Sequence, residues 1–343
     1  MARKRRTQRK PLWDWTVGLT NSSMALHLQC PEQFALNYLE GWTKKGFSIP
    51  LEFGTVIHLC IAHPKAFSSP EKVAQEVCRS YEAERRRTLF HHTDLVTMQK
   101  TLTLAEVIFP HYIRYYKEDD THQIWVDREK PFEIAHTFDS LPQGNNLSTP
   151  EIVKLRGIMD GVYRMKDQNI GLFETKTASQ IDDLAIQSGL RADMQTLLYL
   201  YALSVVYDRH PTQVLYNVIR RPGQILGKTE DMSRYRARVD ADIHKRPEWY
   251  FRRYEVTVLE QDLRNFITGV LDPVIRRILQ WWRSVEEAPF DRFKSPYHYL
   301  NLNALLNKYG KAALYDLIVL GRKNGYSQRS LVFPEFAQYA HED

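Results

Sequence analysis

Cysteine is scarce: the chain of 343 residues carries three, Cys30, Cys60 and Cys78, and no pair has C-x-x-C spacing. That excludes a disulfide scaffold and a cysteine-only zinc site, and it fits a reducing, intracellular setting. No run of 18 apolar residues occurs, so no membrane-spanning helix is expected. The N-terminal MARKRRTQRK leads into PLWDW rather than an apolar stretch, which does not fit a secretory signal. The phosphate-binding pattern G-x-x-x-x-G-K-[ST] is missing too, so this sequence encodes no ATP-driven motor of that type. A cytoplasmic protein without membrane partners is expected.

Acid is absent from the first ten positions, where Arg3, Lys4, Arg5, Arg6, Arg9 and Lys10 supply six of the 47 basic residues. The other 41 basic residues equal the 41 acidic ones, so the net charge of +6 belongs to the tail and the body is near neutral. Residues 1–15 read as a disordered basic tail that could touch phosphate or an acidic surface, or simply stay solvated. Net charge therefore makes no case for a nucleic-acid partner. The 43% hydrophobic and 26% charged residues are ordinary for a globular protein, and the length suits one elaborated domain or two.

Residues 16–122 read as a helical region. SSMALHLQCPEQFALNYLEGW suggests a helix interrupted near Pro31, FGTVIHLCIAH a second one, and residues 70–89 and 94–116 two more with charged outer faces. Residues 123–258 change texture. IWVDREKPFEIAHTF is strand-like, while EIVKLRGIMDGVYRM and IGLFETKTA form a hairpin pattern around Asp167–Gln168. A long helix over 182–207, a strand QVLYNVIRRP, a helix SRYRARVDADIHK and a strand WYFRRYEVTV follow. Residues 259–343 read as a C-terminal helical extension, opening with a long amphipathic helix over 259–285. The expected fold is α/β, a mixed sheet flanked by helices.

The hairpin carries the chemistry. Residues equidistant from its turn pair across the ladder, so Asp160 faces Glu174 or Lys176, and Glu174 and Lys176 share a face two residues apart. Two carboxylates and an ammonium on otherwise apolar strands are costly unless neutralised, and a divalent cation does that. Oxygen ligands favour Mg²⁺ or Mn²⁺. An ordinary cross-strand ion pair would give the same letters. Gly54 and His58 lie four apart on one helix face, so the imidazole could add a nitrogen ligand, though a lone histidine is often only a core residue. Gln195 and Tyr199, again four apart, could hold a phosphate or Lys176. Alternatively Tyr199 shares a packing stripe with Ala192, Leu203 and Val206. Arg220 and Arg221 end a strand beside the hairpin. Trp249, Tyr250, Trp281 and Trp282 could stack bases, but the core is the expected place for paired tryptophans.

In order along the chain, GTVIH, GIMDGV, FETKTA, DMQTLLYLYAL and IRRP resemble the RecB-like branch of the PD-(D/E)XK nuclease superfamily, over residues 20 to 225 or so. The resemblance implies a restriction-endonuclease-like core and a metal-dependent DNA nuclease, an exonuclease in recombination, repair or phage DNA processing. It assigns Asp160, Glu174, His58 and the Thr175 carbonyl as metal ligands. Lys176 would orient or deprotonate the attacking water, with Gln195 and Tyr199 positioning substrate or Lys176. DNA would be the partner, with a helicase or a single-strand annealing or recombination protein beside it, in a bacterial or phage-infected cell. A structure-specific endonuclease, or an inactive nucleic-acid-binding scaffold, are the alternatives. Some members of the branch hold an iron–sulfur cluster with one early cysteine and three late ones. Cys30 stands at the early position, but LNKYGKAALYDLIVLG has none, so no iron–sulfur cluster is expected. Tyr297, Tyr299, Tyr309 and Tyr315 would pack the tail instead.

Overall fold

The computed structural model describes residues 11–44, 46–87, 92–121, 124–139, 150–164, 169–287 and 326–339. In chain order the elements used below are β1 (Leu19–Thr20), α1 (Asn21–Gln29), β2 (Trp42–Lys44), α2 (Ile49–Ala62), α3 (Pro70–Arg86) and α4 (His92–Tyr115). Then come β3 (Ile124–Asp139), β4 (Pro150–Arg164), β5 (Ile170–Ala178), α5 (Asp183–Gly189), α6 (Met194–Tyr207) and β6 (Gln213–Arg220). The last are α7 (Met232–Lys245), β7 (Phe251–Thr257), α8 (Asp272–Glu287) and β8 (Tyr326–Gln328). The mixed sheet of parallel and antiparallel strands flanked by helices is the α/β class expected.

Chain contacts divide the protein into two units that interleave along the sequence. One comprises residues 1–45, 133–157 and 264–343, the other residues 46–132 and 158–263. In the first, β1 runs parallel to the start of β4, pairing Leu19 with Leu155. Thr20 caps α1 by accepting the Ser23 N–H at 3.1 Å, while the Ser23 hydroxyl accepts the Thr20 N–H at 2.8 Å, a reciprocal cap that fixes where the helix begins. Of the expected tail, residues 1–10 lie outside the described residues. Trp13 at its end is fully buried, and its indole N–H donates to the Gly18 carbonyl at 2.7 Å. Trp281 and Trp282 pack edge-on against Phe34 and Trp13 and are partly buried. The four tail tyrosines lie outside the described residues.

In the second unit β4 and β5 pair antiparallel, with Gly161 opposite Phe173 and Arg164 opposite Ile170. These pairs are equidistant from Asp167, where the hairpin turn was expected; residues 165–168 themselves lie outside the described residues. β5 then runs parallel to β6, a connection that needs the crossover α5 and α6 provide, and β6 pairs antiparallel with β7. Phe53, Val56, Ile57 and Cys60 of α2 pack in one core with Phe173, Leu215 and Ile219 of the sheet. A Cβ built on Gly54 would lie 3.1 Å from Thr177 Oγ1, so glycine there brings α2 close to β5.

Two expected elements differ. The helix over 182–207 is broken: α5 ends at Gly189, and Asp193 restarts α6 by accepting the Thr196 N–H at 2.8 Å. A strong cap outcompetes continuation of the helix. Trp249 and Tyr250 belong to a short helix, Pro247–Tyr250, rather than to the strand, because Pro247 presets the first helical turn.

Packing around the hairpin gives a stability prediction. A Cβ on Gly161 would lie 2.6 Å from the Trp125 ring and 3.2 Å from Phe173 Cβ. Trp125 cannot retreat freely, since it is edge-packed on Phe173 at 4.7 Å and tilted against Phe67 at 5.7 Å. Gly161→Ala is expected to lower stability by about 1–3 kcal/mol in urea unfolding. Gly189→Ala, with open space around it and helical backbone, is expected to be neutral or to stabilise by up to about 1 kcal/mol.

Candidate metal centre

Every side chain expected at the site belongs to the second unit, and four elements, α2, β4, β5 and α6, bring them together. The β4–β5 ladder reaches Gly161 and Phe173, and one residue further Asp160 turns its carboxylate to the neighbouring strand, where Oδ2 accepts the Thr175 N–H at 2.7 Å. Asp160 keeps 7% of its surface exposed, and Glu174 and Thr175 keep none. Two acids this dry need compensating charge.

His58 and Lys176 supply it, and the neutral amide of Gln195 ties the ion pair together. The His58 Nδ1, one turn along α2 from Gly54, lies 3.3 Å from Asp160 Oδ1. Lys176 Nζ donates to Glu174 Oε1, forming a buried ion pair on the same face of β5. Gln195, in the first turn of α6, closes a ring: its Oε1 accepts from Lys176 Nζ and its Nε2 donates to Glu174 Oε1, each at 2.9 Å. The structure thus places Gln195 on both members of the ion pair. Tyr199, one turn further, is buried with its ring 5.6 Å edge-on from Phe132. The alternative packing stripe is not formed, because Ala192 is exposed and Val206 keeps 41% of its surface exposed.

A third acid was missed from the sequence. Glu129, inside β3, has Oε1 3.5 Å from His58 Nδ1. Its φ of 44° is left-handed, a conformation that costs a non-glycine residue about 1–2 kcal/mol and that concentrates at functional sites. The only hint in the sequence is the charged run DREK set against Pro131 inside an otherwise regular strand. Asn217, fully buried on β6, was also not singled out as a site residue. Its Nδ2 donates to the Glu174 carbonyl at 3.3 Å and its Oδ1 accepts from Arg253 Nε at 2.5 Å, tying β5 to β7 across β6.

Ionisation follows this geometry. Burial alone would raise Asp160, but His58, Lys176 and the Thr175 N–H outweigh it and hold the carboxyl below its usual range. Glu174 is pushed up to about 7, first by burial and then by the Asp160 charge, against the pull of Lys176. Burial raises Glu129 as well. For His58 burial opposes the charged form, yet Asp160 and Glu129 lift the imidazole well above its ordinary value. Lys176 is likewise raised by Glu174 and Asp160 despite burial, so it stays an ammonium. Burial and the same two acids keep the Tyr199 phenol protonated.

The donor set fits a divalent cation. One ligand atom each of His58, Glu129 and Asp160 lie within 4.8 Å of one another. Glu174 Oε2 and Glu129 Oε1 are buried without a hydrogen-bond partner. The unpartnered Glu174 oxygen, and the Glu129 oxygen that faces His58 Nδ1, offer lone pairs that a hard or borderline cation would take up. Metal-free, the His58 imidazolium holds that place electrostatically.

A family model for the PD-(D/E)XK nuclease superfamily matches residues 19–291. No curated protein matches the chain. A solved structure described as "Crystal structure of SSO0001" aligns at 12% identity over 72% of this chain and 82% of its own, with a TM-score of 0.23.

Cation binding should release protons. With the His58 pKa raised by Asp160 and Glu129, binding is expected to displace the imidazole proton, and a second one as pH falls below 7 and Glu174 becomes protonated. Affinity should therefore weaken as pH falls. Calorimetry with Mn²⁺ in buffers of different ionisation enthalpy measures this, and His58→Ala should remove one released proton. PH-independent binding would exclude both residues as ligands.

Proposed function

We propose that this chain, which belongs to the PD-(D/E)XK nuclease superfamily, is a Mg²⁺- or Mn²⁺-dependent deoxyribonuclease that acts at DNA ends. The observation that carries the reading is the dry Asp160–Glu174 pair with His58, Glu129, Lys176 and Gln195 converging on it. His58, Glu129, Asp160 and Glu174, with the Thr175 carbonyl, are the proposed ligands. When bound, the cation would polarise a phosphoryl oxygen and make its water more acidic.

The chain's own groups have separable tasks in this reading. Lys176 is held as an ammonium between Glu174 and Gln195, which suits it to stabilise negative charge on the phosphate. That favours a charge-stabilising role over proton abstraction from water, the other role the family resemblance implies. Gln195 fixes both partners with one amide, so its loss would misplace the ammonium. Tyr199, buried and protonated, positions α6 against Phe132 beneath the site. Roles in recombination, repair or phage DNA processing, in the cytoplasm and beside a helicase or annealing protein, extend the proposal. They follow from the family resemblance and from the missing ATP-binding motif.

Purified protein with end-labelled linear DNA and covalently closed circular DNA, in Mg²⁺, Mn²⁺ or EDTA, tests this. Metal-dependent loss of linear DNA alone is expected, with Glu174→Ala inactive and Lys176→Ala slowed on the order of 10²–10³-fold. Cutting of both forms would establish the endonuclease reading instead, cleavage that persists in EDTA would overturn the metal dependence, and absent cleavage with DNA still bound would establish the scaffold.

A further inference from the structure

Trp249 lies outside the metal cluster and outside the core. It closes the short helix Pro247–Tyr250 with 46% of its surface exposed. The guanidinium of Arg220, the last residue of β6, sits 4.0 Å from the centroid of its ring. That guanidinium is not loose, because Arg220 Nε donates to the Ser179 carbonyl at 3.2 Å. Arg246 also approaches the indole, at 5.6 Å, but Asp242 neutralises it at 2.8 Å. Nearby Arg252 and Arg238 are paired as well, with Asp183 and Glu230. Neither Arg220 nor the adjoining Arg221 has an acidic partner among the described residues. A fixed cation with unused donors beside an exposed indole is therefore left at one edge of the unit.

Register relates this edge to the site. In the parallel β5–β6 pair, Lys176 is opposite Val218 and Ala178 is opposite Arg220. Residues in register share a face, so Arg220 projects from the same face as Lys176, two residues further along the neighbouring strand. Sheet spacings put their Cα atoms about 8 Å apart. A chain with one phosphate at Lys176 would bring a neighbouring nucleotide to Arg220.

We propose that Arg220, Arg221 and Trp249 form a nucleotide subsite for an unpaired stretch of the substrate. Arg220 and Arg221 take the phosphate, and the exposed indole stacks the base. The inference rests on the nuclease reading and narrows its substrate to a single-stranded or frayed end. The base faces in a duplex are already stacked, so an indole adds a contact only where a base is free. A guanidinium held flat over an aromatic ring still presents its outer N–H groups to phosphate oxygens.

Anisotropy with the full-length chain in EDTA tests this, using labelled oligothymidylate and a blunt duplex of equal length. Trp249→Ala is expected to weaken oligothymidylate binding about tenfold and leave the duplex unchanged, with Trp249→Phe restoring it. Arg220→Ala should also weaken it and reduce the salt slope by about 0.7. Thermal unfolding checks that each variant is folded. Unchanged oligothymidylate affinity in Trp249→Ala would overturn the subsite, while cleavage of linear DNA by the wild type would keep the nuclease reading intact. Equal loss on both ligands would overturn the stacking role. A wild type that binds neither DNA in EDTA would overturn the subsite, and the cleavage assay with metal decides the nuclease reading separately.

Discussion

Asp160 and Glu174 are two carboxylates taken out of water side by side, and most of the second unit's architecture answers that one electrostatic problem. An unpaired buried carboxylate is costly enough that a protein normally protonates it or supplies a partner. Here both remedies operate. Asp160 stays ionised because an imidazole, an ammonium and a backbone N–H face it. Glu174 is pushed up to about 7 and is bound on one oxygen by Lys176 and Gln195, with the other oxygen unpartnered. The two acids are therefore inequivalent, although they stand across one ladder.

Each compensating group arrives from a different element, which makes the topology part of the chemistry. Lys176 comes with Glu174, since a strand repeats its face every second residue. His58 reaches Asp160 only because Gly54 lets α2 approach β5. Gln195 is aimed by the break at Gly189–Asp193, where a new cap restarts the helix and sets its first turn against the ion pair. A continuous helix through that stretch would have carried a different phase. Asn217 and Arg253 brace the ladder below, so movement of β7 is felt at the Glu174 backbone.

Much of this was legible because it depends on local periodicity. The pairing of Asp160 with the Glu174 strand follows from counting outward from the turn, and the registers of Gly54 with His58 and of Gln195 with Tyr199 follow from the helical repeat. What escaped depends on backbone conformation or on competition between local signals. Glu129 enters the cluster through a left-handed backbone in mid-strand, which a period-two pattern cannot show. The helix break escaped because the apolar face of 182–207 continues across it, while one aspartate cap decides the outcome. Trp249 escaped for a similar reason: WYFRRYEVTV has a strand's composition, but Pro247 commits the preceding turn to helix and leaves the indole outside.

The near-neutral body of the protein bears on how a polyanion could be engaged at all. Within the cluster His58 and Lys176 balance much of the acidic charge of Asp160 and Glu174. On the proposed reading, cation entry would exchange the proton on His58 for a divalent charge and make the centre more positive, so that a loaded centre would attract a phosphate more than an unloaded one. Affinity for DNA would then track metal occupancy at the cluster, while Arg220 and Arg221, which have no acidic partner among the described residues, lie at the end of the neighbouring strand. A local balance of this kind can direct a phosphodiester to the metal without the broad basic surface that would also hold DNA non-specifically.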